Sequence, residues 1–167
     1  MVKVFKYFLF LFLGLTAVVG FSQNQSLKFE HIGTAEGLSQ INVSSIIQDS
    51  RGFMWIGTRD GLNRYDGYKF IIYNHSFQDD NTISNNQVLD IAEDREGNIW
   101  VATLSGLNKF DRKTGRFIRF LHDDHNANTL SINSLNKLIF DAQGYLWIGT
   151  QKGGLDCLDI KKNIFKH

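Results

Sequence analysis

Proline is missing altogether from these 167 residues, and cysteine occurs once. A single thiol excludes a disulfide within the chain. Charge of one sign is not in excess: 18 basic residues face 17 acidic ones, a formal +1. With no basic stripe and no arginine-rich arm, the chain lacks the footprint of a nucleic-acid binder. It also has no low-complexity tract and no run of like charge that would favour disorder. Neither a Gly-x-Ser-x-Gly elbow, a phosphate-cradling loop nor a cysteine–histidine pair is present, so no residue set supports catalysis or a cofactor. Long apolar runs are confined to one place, Tyr7 to Phe21, 15 residues without a charge.

That run follows Lys3 and Lys6 and gives way to Gly20 and Ser22, small residues spaced for a leader peptidase. It is shorter than the roughly 20 residues a helix needs to span a bilayer core. Residues 1–22 therefore read as a secretory signal peptide cut before Gln23, with a retained anchor as the alternative. Its removal takes away two lysines and leaves 16 basic against 17 acidic residues, a net of −1. The mature part is expected to be exported and nearly neutral.

What the chain has in place of these features is repetition. Asp-x-x-Gly-x-x-Trp occurs at Asp49-Gly52-Trp55, Asp94-Gly97-Trp100 and Asp141-Gly144-Trp147, and these three tryptophans, 45 and 47 residues apart, are all there are. Ser39, Ser84 and Ser131 each stand ten residues before the turn Asp, and Ile-Gly-Thr or Val-Ala-Thr follows each Trp. Gly61-Leu62-Asn63, Gly106-Leu107-Asn108 and Gly154-Leu155-Asp156 come next, with one extra residue in the third copy. In this frame Cys157 aligns with Arg64 and Lys109, which makes it a variable strand position rather than a reactive or metal-binding thiol.

Turn chemistry divides each copy into four short strands, near 43–49, 53–58, 62–66 and 69–73 in the first. The Asp side chain can accept backbone N–H groups while Gly takes a positive φ. Strand two, as in Met54-Trp55-Ile56, is apolar without alternation, which means both sheet faces are covered. A period in the forties built from strands indicates an all-β fold, a partial β-propeller of three four-stranded antiparallel blades. Blade 1 is expected over 38–83, blade 2 over 84–130, and blade 3 over 131–167, ending within its fourth strand. The N-terminal segment 23–37 holds Phe29-Glu30-His31-Ile32, and residues 28–32 match the offset of a fourth strand with no blade of its own, as a ring-closing strand would. A closed propeller needs about four to eight blades, so three suggest part of a larger protein.

Gly37-Leu38-Ser39, Gly52-Phe53-Met54-Trp55-Ile56-Gly57-Thr58 and Asp60-Gly61-Leu62-Asn63-Arg64-Tyr65-Asp66-Gly67 together resemble the two-component regulator propeller repeat. Asn128-Thr129-Leu130-Ser131 and Gly144-Tyr145-Leu146-Trp147-Ile148-Gly149-Thr150 do the same, so the resemblance covers about residues 28–167. It implies the periplasmic sensor half of a hybrid two-component histidine kinase, anchored in the inner membrane, dimeric, and controlling transcription of glycan-utilisation genes. The implied partners are an oligosaccharide ligand and the remaining blades and domains of the parent. The chain has no kinase histidine box, so phosphotransfer belongs to that parent. A binding module outside signalling and, less favoured, a propeller enzyme acting on polysaccharide are the alternatives.

Candidate ligand-binding residues are those that vary between strands two and three while the frame stays constant: Arg59 and Asp60, Ser105, and Gln151 and Lys152. Asp49, Gly52, Trp55, Asp94, Gly97, Trp100, Asp141, Gly144 and Trp147 are structural. In His122-Asp123-Asp124-His125 only His122 recurs, as His75, so the cluster is not read as a metal site.

Overall fold

The computed structural model describes residues 27–167, so the expected signal peptide, residues 1–22, lies outside the described residues. Each repeat folds into a four-stranded antiparallel meander. Blade 1 consists of β1 (Val43–Gln48), β2 (Met54–Thr58), β3 (Gly61–Tyr65) and β4 (Phe70–Tyr73). Blade 2 holds β5 (Val88–Glu93), β6 (Ile99–Thr103), β7 (Gly106–Asp111) and β8 (Arg116–Phe120). β9 (Leu135–Phe140), β10 (Leu146–Thr150), β11 (Leu155–Asp159) and β12 (Ile164–Lys166) make blade 3. The register is repeated: Trp55 pairs with Arg64, Trp100 with Lys109 and Trp147 with Cys157. That pairing places Cys157 where the repeat alignment puts it.

Leu27 to Ile32 contain no strand and are exposed. A strand persists only when its backbone groups are paired, and among the described residues no strand pairs with residues 28–32.

Side chains on a strand alternate between its two faces, and here both faces are apolar because both meet a blade. On β6, Ile99 and Val101 enter a cluster with Trp55 and Leu62 of blade 1. Trp100 and Ala102 enter the opposite cluster, with Leu135, Leu138, Leu146 and Ile148 of blade 3. Trp55 stacks on Tyr73 at 5.9 Å between ring centroids and meets the Phe110 ring of blade 2 edge-on at 5.2 Å. The continuous apolar run of strand two is thus two half-cores interleaved. Trp55 and Trp100 are buried, whereas Trp147 is only half-buried. Trp147 is less covered because, among the described residues, no blade lies against the face that carries it.

Candidate functional site

Each Asp-x-x-Gly-x-x-Trp motif is a turn closed by one carboxylate. Asp49 Oδ1 accepts the N–H groups of Arg51 (3.0 Å) and Phe53 (2.9 Å), and Oδ2 accepts the Trp55 indole N–H at 2.8 Å. Asp94 and Asp141 repeat the arrangement, with the indole N–H of Trp100 and Trp147 at 2.9 Å. Gly52, Gly97 and Gly144 lie at φ of 90°, 80° and 91°, where a side chain would be strained. Burial pushes the Asp49 carboxyl up, but the hydrogen bonds from Trp55, Arg112, Phe53 and Arg51 outweigh it and hold the group below the ordinary carboxylate range. Asp141 is lowered as well, chiefly by the Trp147 indole. These groups are fully occupied as structural acceptors.

A second repeated network was not legible as a motif. Ser39 N–H donates to Asn63 Oδ1 (2.9 Å), the Asn63 amide donates to Ser39 Oγ (2.8 Å), and the Ser39 and Thr58 hydroxyls share a hydrogen bond at 2.9 Å. Ser84, Asn108 and Thr103 reproduce it in blade 2. In blade 3 an acid, Asp156, replaces the Asn. It accepts Ser131 N–H but has no amide to donate, and Ser131 Oγ is buried without a hydrogen-bond partner. Asp156, fully buried, is matched by His167 Nδ1 at 2.8 Å. That hydrogen bond, against the opposing effect of burial, raises the imidazole pKa above its ordinary value.

The candidate binding residues occupy the hairpin turns that follow these Thr residues. The Asp60 side chain does not organise its own turn as the first-turn Asp does. Thr58 Oγ1 does so, accepting Asp60 N–H and donating to Gly61 O, both at 3.0 Å. Asp60 itself is exposed beside Arg59 and accepts the Asn86 amide at 3.3 Å, while Asn86 O accepts Gly61 N–H at 2.7 Å. Half-buried Ser105 accepts the Asn85 amide at 3.0 Å, and Leu104 N–H donates to Gln87 O. Gln151 N–H donates to Ser134 O at 2.9 Å, leaving the Gln151 and Lys152 side chains exposed. All three turns end the equivalent pair of strands, so they share one edge of the blades. Among the described residues no hydrogen bond joins one turn to the next. Sequence reasoning missed the amide-rich segment Asn85-Asn86-Gln87 that buttresses two of the turns. Its signal was the run of three amide side chains just before β5.

His122 is engaged in the frame. Its Nδ1 lies 2.6 Å from Leu130 O, as that of His75 lies 2.8 Å from Ile83 O, and its Nε2 faces Asp124 at 2.8 Å. The hydrogen bond with Leu130 and the one with Asp124 raise its pKa.

The chain matches the two-component regulator propeller over residues 37–60, 82–105 and 129–152, one match per blade. Over 83 residues it is 41% identical to histidine kinase P4 of Formosa agariphila, a match covering 50% of this chain and 6% of that kinase. The extracellular domain of a hybrid two-component system from B. thetaiotaomicron superposes with a TM-score of 0.78 at 32% identity, over 83% of this chain and 20% of that one. A second such extracellular domain from the same organism gives 0.66 at 29% identity, over 81% and 19%. The chain therefore spans a small part of these relatives' length. No helix among the described residues is long and apolar enough to cross a membrane.

Proposed function

Because this chain is built from two-component regulator propeller repeats, we propose that it is the extracytoplasmic, ligand-sensing segment of a hybrid two-component sensor histidine kinase. We further propose that its ligand is an oligosaccharide. The observation that carries this reading is the contrast along one edge of the blades. The hydrogen-bonded frame beneath the three β-hairpin turns is nearly invariant, while the turns present Arg59-Asp60, Leu104-Ser105 and Gln151-Lys152. Variation on a rigid frame is where recognition concentrates. Guanidinium, ammonium, carboxylate, hydroxyl and amide groups beside Asn85, Asn86 and Gln87 form a surface suited to many small hydrogen bonds with sugar hydroxyls.

In this reading the segment acts in the periplasm and contributes no chemistry of its own. Binding biases the packing of blades in a dimeric parent, and that parent's kinase passes the signal to transcription of glycan-utilisation genes. The test is calorimetric titration of a panel of oligosaccharides into the extracellular region that contains these blades. Saturable binding that weakens on Arg59→Ala or Lys152→Ala supports the proposal. A region that binds none of them, or that cleaves a glycan, overturns it.

A further inference from the structure

The two crossovers from one blade to the next start alike and then diverge. In the first, between β4 and β5, Ser76 N–H donates to Thr82 Oγ1 at 2.9 Å; in the second, between β8 and β9, Asp123 N–H donates to Thr129 Oγ1 at 3.1 Å. His75 and His122 open them. Each sets Nδ1 against a carbonyl, of Ile83 or Leu130, and gives its backbone N–H to an asparagine, Asn86 or Asn133. Two residues on, Asp124 meets His122 Nε2 at 2.8 Å, whereas Phe77 stands in that place and turns its ring at 80° to that of His75, 4.6 Å between centroids.

Phe77 is 95% exposed. The frame does not require an apolar ring there, since an acid serves in the sister loop. Blades 1 and 2, which flank this crossover, are both in place, so the exposure does not come from a missing neighbour in the propeller. Nor is the loop slack: Arg119 gathers it, donating to Thr82 O at 2.7 Å, Asp79 O at 3.0 Å and Asp80 Oδ1 at 2.9 Å. Having Phe in place of Asp also frees an acceptor. A carbonyl can only accept, so His75 Nδ1 carries the proton that bonds Ile83 O, and Nε2 of the neutral ring is an acceptor that no group among the described residues bonds. Contacts lead from here to the candidate turn of blade 1. Asn86 gives its amide to Asp60, and Gly61, lacking a side chain, lets Asn74 lie against the same turn.

We infer that Phe77 and His75 form a subsite of the candidate edge that stacks on the C–H face of one neutral pyranose unit. The inference rests on the oligosaccharide reading and specifies the sugar. A pyranose is amphipathic, with C–H groups on one face and hydroxyls around its rim. The aromatic face, negative in its quadrupole, covers the C–H groups, while rim hydroxyls donate to His75 Nε2 and to the Asp60 carboxylate. Charge decides against an anionic sugar. Three carboxylates on this loop and turn, Asp60, Asp79 and Asp80, face two guanidinium groups, Arg59 and Arg119, of which the second is already paired with Asp80. A sulfate or uronate would meet net negative charge.

The test is calorimetric titration of cellohexaose and laminarihexaose, both neutral, and of anionic hexagalacturonate into the extracellular region that contains these blades. A neutral probe should bind. Phe77→Asp gives the loop the residue type of its sister, so it should fold, and it should raise the Kd of that probe about tenfold. Phe77→Trp keeps an aromatic face and should bind like the native region. Tyr68→Asp, at an aromatic equally exposed on the opposite edge, should leave the Kd unchanged. Undiminished binding by Phe77→Asp, an equal loss in Tyr68→Asp, or a region that binds only hexagalacturonate overturns this subsite and leaves the sensor reading standing. Binding of no probe overturns both.

Discussion

Trp100 and Trp147 occupy the same register on β6 and β10 and hold the same 2.9 Å hydrogen bond to a turn aspartate. Yet one is 1% exposed and the other half-buried. What a repeat encodes by itself is the turn and the strand pairing. What it leaves to its neighbour is the desolvation of its faces. Blade 2, covered on both sides, is the finished form of the unit, and blades 1 and 3 are each finished on one side.

The largest test of that contrast is truncation of the indoles. Trp100→Ala should destabilise the fold by about 3–5 kcal/mol, and Trp147→Ala by less than half as much, both read from urea midpoints. Equal losses would break the comparison. Glycine substitutions should sharpen it: Gly57→Ala drives a methyl into Val88 and should cost about 1–3 kcal/mol, whereas Gly149→Ala finds room and should be close to neutral in the same assay.

A pH effect should mark the Asp156 site of blade 3, where blades 1 and 2 have Asn63 and Asn108. The hydrogen bond to Asp156 raises the His167 pKa in the folded state. Its stabilisation is therefore full below the unfolded imidazole value of about 6.5 and is lost as pH rises through the higher folded value. Melting temperature should fall over that window, and Asp156→Asn should remove the His167 share of the fall, leaving that of His122, while giving Ser131 Oγ an amide like those of Asn63 and Asn108. The smallest expected effect is at the exposed turns. Arg59→Ala and Lys152→Ala should change stability by no more than about 0.5 kcal/mol, so any loss of ligand binding there reports on recognition.

The strands, turns and tryptophans were legible because each is specified within a few residues. Asp49, Gly52 and Trp55 lie in one turn and its strand, so spacing alone predicts their geometry. Partnerships across long separations were not. Arg112 reaches back to Asp49 Oδ2 at 2.9 Å and to Glu93 at 3.4 Å, clamping blade 2 to blade 1. Nothing in the local pattern of the β7–β8 turn distinguishes it from a solvated arginine. The Ser39–Asn63–Thr58 network was visible only as recurring letters, since its members meet across 19 to 24 residues. At the candidate edge the variable turn residues were identifiable from the repeat, but the buttressing by Asn86 joins two blades across 26 residues, beyond any local pattern. The strand expected at 28–32 rested on an offset in the sequence alone, and residues 28–32 form no strand, because an offset does not supply the pairing that a strand needs.

The alternation on β6 limits how such repeats can change in length. Ile99 and Trp100 are adjacent in sequence and anchor opposite junctions, so deleting one residue there would send each set of side chains to the wrong neighbour. Length differences between the copies are found instead in the hairpins. Four residues separate the paired Tyr65 and Phe70 of blade 1, but six separate the equivalent pair Phe110 and Phe117 of blade 2, where the ladder runs on to Asp111 and Arg116, and the longer hairpin is the one that carries Arg112. New reach is thus added at the tips, where a blade can gain an arm while its two packing surfaces keep their phase.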